Sequence, residues 1–386
     1  MGTRVLRWTS WPAMSERIRR WLTRHLAGPS RVPAEENFAA VVVKLDRLGD
    51  FVLALAAIRR VFEHFGSARC MLVVSPVAAE FAALQFPDIK RIVVPYGLGH
   101  FRSIFAAIGF RRLLGRFSAN QVICLRHQRW DYDELLLSWI KTSRAVRTID
   151  GYTRRLRPDL RFYECDLPGG FVPAAETQVT RQDGSRLGRE LELHRQVLSI
   201  ALGRELDGGE ILPEIIARNE GEGVIVSPFG SEAIRDFPLP LLQVALKAIR
   251  ARAGKDLKIT LVGQAHQRGK ILALARKLEF AGDVSVKLEL SMSEYIDAIC
   301  SAGVVLSADT ATAHVATASN RRTIVALGGG HYGQFAPWSR SFRQRWLTKP
   351  VPCFGCNWEC VHPQPYCLTE IEPEAMLQAV EGVLSA

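Results

Sequence analysis

Asp50 is the residue of this sequence that could act most directly as a base. It ends the segment Lys44-Leu45-Asp46-Arg47-Leu48-Gly49-Asp50, which follows the apolar run at residues 39–43. A carboxylate presented after a strand can take a proton from a hydroxyl group. Gly49 permits a tight turn or a close backbone approach, and we assign Lys44 and Gly49 to the support of the loop. The alternative is that Asp50 is only the N-cap of the apolar helix that follows.

A second segment has the composition of a phosphate-binding turn. Small and hydroxyl residues at 227–231 are followed by Arg235 and by a helix near Pro238. Amide groups and a hydroxyl of this segment could hold phosphate oxygens while Arg235 neutralises their charge. An arginine on an exposed loop is the simpler alternative.

The third segment is Asp309-Thr310-Ala311-Thr312-Ala313-His314, at the passage from a strand into a helix. Asp309 and Thr310 can cap this helix, whose positive end would face a ligand. His314 lies one turn further and could reach the same ligand. A capped helix with a core histidine is the alternative. The glycine-rich loop at 328–333 is predicted to be flexible.

The rest of the sequence predicts alternating strands and helices, and these elements would position the three segments. Short β-branched runs alternate with amphipathic helices, which is typical of parallel βαβ units in doubly wound sheets. The length of 386 residues favours two domains. We predict an extension at 1–36, an N-terminal domain at 37–205, a C-terminal domain at 206–372 and a final helix at 373–386. The strands are predicted at 40–45, 70–75, 91–94, 121–125, 146–150, 223–227, 258–262, 284–288, 304–307 and 323–327.

The three segments occur in the order found in glycosyltransferase family 9, the lipopolysaccharide heptosyltransferases. The sequence resembles this family from about residue 39 to its C terminus. The resemblance implies an α/β fold of the GT-B type, with two doubly wound, Rossmann-like domains facing a cleft. It also implies inverting transfer of a heptose or related sugar from an ADP-sugar to a hydroxyl of a lipopolysaccharide-core or similar glycan, without a cofactor for catalysis.

Site residues follow from the same resemblance, motif by motif. Asp50 would be the general base. The donor-binding residues would be Ser231, Arg235, Leu290, Asp309, Thr310, Ala311 and His314. Arg235 stands where the family usually has Lys, and Ala311 where it commonly has Gly. Asp46-Arg47 replaces a small polar pair, which could mark a different acceptor.

Four of the eight cysteines crowd into one loop at residues 353–367: Cys353, Cys356, Cys360 and Cys367. In a cytoplasmic chain such a cluster favours a metal over a disulfide. Cys353 and Cys356 have the spacing of zinc ligands. A structural Zn or Fe and plain reduced thiols both stay open.

The net charge of +11 is concentrated at the start of the chain. Residues 1–31 hold seven Arg and one acid, and an apolar stripe that includes Trp21, Leu22 and Leu26. This basic amphipathic pattern fits either an anionic membrane surface or docking on the folded body. The start lacks the apolar middle of a secretory signal, so a cytoplasmic location, peripheral on the inner membrane face in the first case, is expected.

Two other functions remain as alternatives. A family member could glycosylate a protein or another glycan. A different class of answer is a basic, Cys-cluster module that binds nucleic acid, although the charge forms no extended patch through the body of the chain, and we expect no nucleic-acid partner. An inactive GT-B protein is disfavoured by the presence of Asp50 and Asp309.

Overall fold

The computed structural model describes residue 26 and residues 32–94, 104–126, 131–148, 188–216, 220–254, 256–278, 283–356 and 358–386. The chain forms two compact units. Unit 1 comprises Met1–Gly169 with Gln196–Leu206, and unit 2 comprises Gly170–Arg195 with Asp207–Ala386. The predicted domain boundaries stay predictions. The sequence predicts a less regular region at about 152–188, and all of it except Gly188 lies outside the described residues.

Unit 1 contains a parallel five-stranded sheet of order β3-β2-β1-β4-β5. Its strands are β1 (Glu36–Lys44), β2 (Cys70–Val74), β3 (Lys90–Val93), β4 (Phe117–Cys124) and β5 (Lys141–Thr148). Its helices are α1 (Leu48–Leu53), α2 (Leu55–Phe65), α3 (Pro76–Gln85), α4 (Ile104–Leu114) and α5 (Asp131–Trp139), and α6 (Arg189–Leu202) follows and begins in unit 2. The central strand β1 is buried from Phe38 to Lys44, as expected for a parallel strand covered on both faces.

Unit 2 contains a parallel six-stranded sheet of order β11-β10-β9-β6-β7-β8. Its strands are β6 (Val224–Ser227), β7 (Lys258–Gly263), β8 (Asp283–Leu288), β9 (Val304–Ala308), β10 (Arg322–Ala326) and β11 (Gln344–Leu347). Its helices are α7 (Leu239–Ala253), α8 (Arg268–Leu278), α9 (Met292–Cys300), α10 (Ala311–Ala318), α11 (Tyr366–Thr369) and α12 (Pro373–Ser385). These two parallel sheets confirm the predicted α/β class of Rossmann-like type.

Three local features differ from the sequence-based expectations. The sequence predicts one apolar helix at 51–65 after Asp50, whereas the structure has two helices, α1 and α2, separated at Ala54. Two elements were not predicted from the sequence: the strand β11, which joins the free edge of β10, and the short helix α11. The final helix α12 packs in the core of unit 2, because Met376, Ala379 and Val380 are buried there.

Leu26 bears on the role of the N-terminal extension. Its side chain is buried in the core of unit 1, and its carbonyl oxygen accepts a hydrogen bond of 2.7 Å from Trp139 Nε1. At this position the apolar stripe therefore docks on the folded body; the rest of residues 1–31 lies outside the described residues. Within the part of the chain that the structure describes, no helix combines the length and apolar character needed to cross a membrane.

Candidate active site

Asp50 lies in the first turn of α1, directly after the loop that leaves β1. Arg47, which makes no side-chain capping bond, occupies the N-cap position, and Asp50 is the third residue of the helix. The N-cap interpretation of Asp50 is therefore wrong. Gly49 is helical as well and is not among the glycines with positive φ, so the helix, rather than a tight turn at Gly49, carries Asp50. The Asp50 side chain is half-buried.

A buried charge network fixes the loop that precedes Asp50. The fully buried Lys44 Nζ donates to the Leu125 carbonyl at 2.7 Å and lies 2.9 Å from Asp46 Oδ2. Arg126 Nε lies 3.0 Å from Asp46 Oδ1, and the same guanidinium pairs with the buried Asp133. Opposite charges buried together stabilise each other only when they are closely paired, as these are. The support role predicted for Lys44 thus has defined partners.

The sequence singles out Asp46 as a departure from the family that it resembles. Its pairing with Arg126, and through Arg126 with Asp133, was not predicted. The signal that could have joined them is that β1 and β4 are adjacent parallel strands, so the residues after their carboxyl ends meet at one edge. The Ser75 hydroxyl, after β2, donates to the Asp46 carbonyl at 2.8 Å and completes the support.

In unit 2 the second and third sequence segments come together through Arg235 and Asp309. Arg235 Nη2 donates to the Asp309 carbonyl at 2.6 Å and to Asp309 Oδ2 at 3.1 Å. The turn that carries Arg235 is closed by Asp236, whose Oδ1 accepts from the Gly230 amide at 3.0 Å. Burial raises the pKa of Asp236. Ser231 is exposed on the same turn.

The guanidinium of Arg235 keeps donors beyond those that bind Asp309. It carries five N–H groups. Its Nε is buried and makes no hydrogen bond with the residues that the structure describes. The Arg235 side chain is 16% exposed, so part of it is open to a ligand. The arrangement can bind an anion without releasing Asp309.

The amino end of α10 lacks the side-chain cap that the sequence predicted. Thr310 is the N-cap residue, but its side chain makes no capping bond and lies 3.2 Å from Ser307 Oγ instead. Asp309 pairs with Arg235 rather than with the helix. The predicted capping by Asp309 and Thr310 is therefore wrong. The partly exposed Ala311 begins the helix, at the end whose dipole favours negative charge.

The first turn of α10 is anchored from below by hydroxyl groups. Thr312 Oγ1 donates to Ser227 Oγ at 2.9 Å and lies 2.7 Å from the Tyr295 hydroxyl. Burial raises the pKa of Tyr295 to about 12, so the phenol stays protonated. These bonds tie α10 to β6 and α9, and they fix the direction in which its amino end points.

His314 is a buried histidine that touches Asp309. Trp338 Nε1 donates to His314 Nδ1 at 2.9 Å, which leaves the proton of the neutral ring on Nε2. That nitrogen lies 3.9 Å from Asp309 Oδ1. Burial lowers the pKa of His314 to about 4; Asp309 raises it and Arg235 lowers it further. The geometry favours the core-histidine interpretation, with Asp309 as its polar neighbour.

His314 makes the stability of unit 2 sensitive to acid. The pKa of His314 is about 4 in the folded state and ordinarily 6.5, so the unfolded chain binds more protons between these pH values. The free energy of unfolding should fall below pH 6.5, with a full loss of about 3 kcal/mol below pH 4. We expect His314→Asn, which keeps an acceptor for Trp338, to lose less stability than the wild type between pH 7.5 and pH 5 in urea unfolding.

The exposed His266 provides the control for this prediction. His266→Asn should follow the wild-type pH dependence. An unchanged pH dependence in His314→Asn would contradict the assignment of the acid sensitivity to His314.

Leu290 stands apart from this group. It is partly exposed and follows the edge strand β8, three strands from β9 in the sheet order. Neighbouring strands are about 4.8 Å apart, so about 14 Å separates the two strand ends. Leu290 therefore shares the carboxyl edge of the sheet with Asp309 but not its contacts.

The glycine-rich loop after β10 packs against the Cys-rich loop instead of standing open. A Cβ atom on Gly329 would lie 2.4 Å from a ring carbon of Phe354, so the glycine is needed for close approach. The Gly355 amide donates to the Gly329 carbonyl at 2.9 Å. The glycine-rich loop at 328–333, which was predicted to be flexible, is thus packed against residues of the 353–367 loop.

The four clustered cysteines line one small cavity, together with His362. Burial raises the pKa of Cys367, and the other three thiols raise it further. Among the described residues, however, no three His, Cys, Asp or Glu side chains are arranged as ligands of a metal ion. The thiols are neighbours without the geometry of a metal site.

A comparison with known protein families finds a match within the second half of the chain. The family model of glycosyltransferase family 9 (heptosyltransferase) matches residues 246–362. These residues contain Leu290 and the segment from Asp309 to His314, whereas Asp50, Ser231 and Arg235 lie outside them. None of the curated proteins compared with the chain matches it.

Solved structures extend the likeness to most of the chain. A glycosyl transferase family 9 protein from Veillonella parvula is 14% identical, with a TM-score of 0.64 over 93% of this chain and 100% of that one. The E. coli heptosyltransferase WaaC with ADP-2-deoxy-2-fluoro heptose is 18% identical, with a TM-score of 0.57 over 89% and 98%. The E. coli ADP-heptose lps heptosyltransferase II is 14% identical, with a TM-score of 0.57 over 90% and 99%. At these identities the structures show the fold, and they confirm the predicted GT-B type.

Proposed function

We propose that this chain, whose residues 246–362 match the model of glycosyltransferase family 9, transfers a heptose or a related sugar from an ADP-sugar to a glycan hydroxyl. The observation that carries the proposal is the pairing of Arg235 with Asp309 beside the uncapped amino end of α10. A cation and a helix amino end together favour a diphosphate. The solved structures named for ADP and ADP-heptose support the choice of nucleotide.

In unit 2 one set of residues of the proposed donor site binds the charged diphosphate, and another orients the sugar. The remaining donors of Arg235, the Ser231 hydroxyl and the Ala311 amide bind the diphosphate, and Thr310 lies beside it. Asp309 accepts hydrogen bonds from sugar hydroxyls while Arg235 holds its carboxylate in place. His314 supports Asp309 as a neutral neighbour, since burial keeps its pKa at about 4. Leu290 would contact the base.

In unit 1 Asp50 is the proposed general base. The acceptor hydroxyl gives its proton to the Asp50 carboxylate as its oxygen forms a bond to the anomeric carbon of the sugar. The bond between that carbon and the diphosphate oxygen breaks, ADP leaves with the electron pair, and the configuration inverts. Charge on the leaving diphosphate is stabilised by Arg235 and the amino end of α10, because preorganised donors act most strongly where negative charge develops.

The acceptor we propose is a glycan of the lipopolysaccharide core or one similar to it. The proposed reaction takes place in the cytoplasm, with a glycolipid acceptor presented at the inner face of the membrane. The seven arginines of residues 1–31 would add attraction to an anionic membrane surface there.

No step of the proposed reaction uses a metal ion. The four cysteines share a cavity but lack the geometry of metal ligands among the described residues. A structural Zn or Fe at this loop stays a hypothesis from the sequence. Elemental analysis of the purified protein and of its Cys356→Ser variant tests it.

A transfer assay tests the proposed function. The purified chain is incubated with ADP-heptose and a heptose-free lipopolysaccharide-core acceptor, and the release of ADP and the mass of the glycan are followed. We expect ADP release that depends on the acceptor, with one heptose added. Absence of transfer to every core acceptor, with transfer to another glycan, would contradict the acceptor proposed here.

A further inference from the structure

Trp358 occupies an unusual backbone conformation in the Cys-rich loop. Its φ angle is +65°, in the left-handed region that non-glycine residues seldom adopt. A bulky side chain stays in such a conformation only when its surroundings hold it there. The contacts of the indole ring show what those surroundings are.

The indole ring lies against the glycine-rich loop after β10. A Cβ atom on Gly328 would be 2.2 Å from Trp358 Cη2, and one on Gly330 would be 2.6 Å from Trp358 Cδ2. Real Cβ contacts are never this short, so both positions need glycine for the ring to fit. The loop after β10 and the Cys-rich loop are therefore shaped for each other around this one side chain.

The same ring also contacts the donor-site arginine. Arg235 Cζ lies 5.1 Å from the centroid of the Trp358 ring, within the range of a cation–π interaction. The guanidinium is thus held by the indole as well as by its two hydrogen bonds to Asp309. Fixing an arginine before its ligand arrives lowers the entropy that binding must remove.

We propose that Trp358 is a positioning residue for Arg235, through which the Cys-rich loop sets the affinity of unit 2 for the donor diphosphate. The inference rests on the proposed function, because it takes the diphosphate as the ligand of Arg235. Loss of the ring frees the guanidinium to adopt other rotamers. A cation–π contact of this kind corresponds to about a fivefold change in affinity.

Variants of Trp358 in the full chain test this role by calorimetry with ADP. We expect Trp358→Leu to weaken ADP binding about fivefold, and Trp358→Phe, which keeps an aromatic face, to recover most of the affinity. The matched control is Phe354→Leu, in the same loop, because the structure shows Phe354 packed on Gly329 and Tyr332. This control should bind ADP within about twofold of the wild type. Equal weakening in Phe354→Leu and Trp358→Leu would overturn the proposal.

A double-mutant cycle separates positioning from general support of the fold. In an Arg235→Met background, Trp358→Leu should cause no further loss of ADP affinity, since the arginine that it positions is absent. The urea midpoints of the four proteins give a readout without ligand. Trp358→Leu should lower the midpoint less in Arg235→Met than in the wild type. Additive effects on the midpoint would overturn the inference, whereas wild-type protein that fails to bind ADP would instead refute the proposed function.

Discussion

Replacement of Asp50 by Asn is expected to lower the kcat of sugar transfer by about 10²- to 10⁴-fold while ADP binds with unchanged affinity. The amide keeps the size of the carboxylate but cannot take the proton of the acceptor hydroxyl. Asp50 is the third residue of α1, so loss of its charge near the helix amino end costs only about 0.5 kcal/mol of stability. Steady-state ADP release and calorimetry with ADP measure the two parts of this prediction.

The exposed Asp88 in unit 1 gives a matched control for the loss of one negative charge. Asp88→Asn should transfer sugar at the wild-type rate. Near wild-type turnover in Asp50→Asn would remove Asp50 from the mechanism. A parallel loss of ADP binding would assign Asp50 to the donor site or to the fold.

Replacement of Arg235 by Ala is expected to weaken ADP binding about 100-fold, because charge-assisted hydrogen bonds to phosphate are lost. The variant also leaves Asp309 without its arginine, although that carboxylate is only 7% exposed. A buried carboxylate without its cation destabilises the surrounding fold, so a lower melting temperature should accompany the loss of affinity. Calorimetry with ADP and thermal unfolding measure the two effects.

Arg235→Lys is the conservative comparison for this variant. It keeps the charge and matches the residue usual in the family that the sequence resembles, but it lacks the planar fork that bonds Asp309. We expect ADP binding within about tenfold of the wild type. Arg268→Ala, which removes an exposed arginine 3.8 Å from Glu289, should have no effect. An Arg235→Ala variant that binds ADP as tightly as the wild type would contradict the proposed donor site.

Much of the fold could be predicted because its signals are local. The buried strands are short β-branched runs, and each is followed by a helix with an apolar face, so β1, β6 and β9 lie within a few residues of their predicted positions. β11 was missed because Gln344-Arg345-Trp346-Leu347 has no apolar run. It is a strand because it pairs with β10, which is a tertiary effect.

The candidate site could also be predicted in part, because the residue types that mark its loops are local features of the sequence. Glycine, acid and hydroxyl residues after strands pointed to the correct loops, because strand ends gather at one edge of a parallel sheet. The partners of each side chain were not predictable. Pairing of Arg235 with Asp309 joins residues 74 positions apart, and the network from Lys44 to Asp133 needs the register of β1 and β4. The predicted helix cap was also wrong, because the Asp309 carboxylate pairs with Arg235 rather than with the amides of the helix.

Trp358 shows a further limit of sequence reasoning. The sequence pointed to the clustered cysteines as the functional residues of this loop. The residue of the loop that contacts Arg235 is Trp358, which lies beside them. A positive φ angle and two glycines that make room for a ring are features of three-dimensional structure, not of local composition.

Calorimetry with free nucleotides distinguishes a donor site for an ADP-sugar from a site for another nucleotide. The full chain is titrated with ADP, UDP and GDP under one set of conditions. The proposed donor site predicts that ADP binds, that UDP and GDP bind at least about tenfold more weakly, and that Arg235→Ala weakens ADP binding about 100-fold because the bonds to the diphosphate are lost. Preferential binding of UDP or GDP, or no binding of any of the three, would contradict the account of this chain as an ADP-sugar glycosyltransferase.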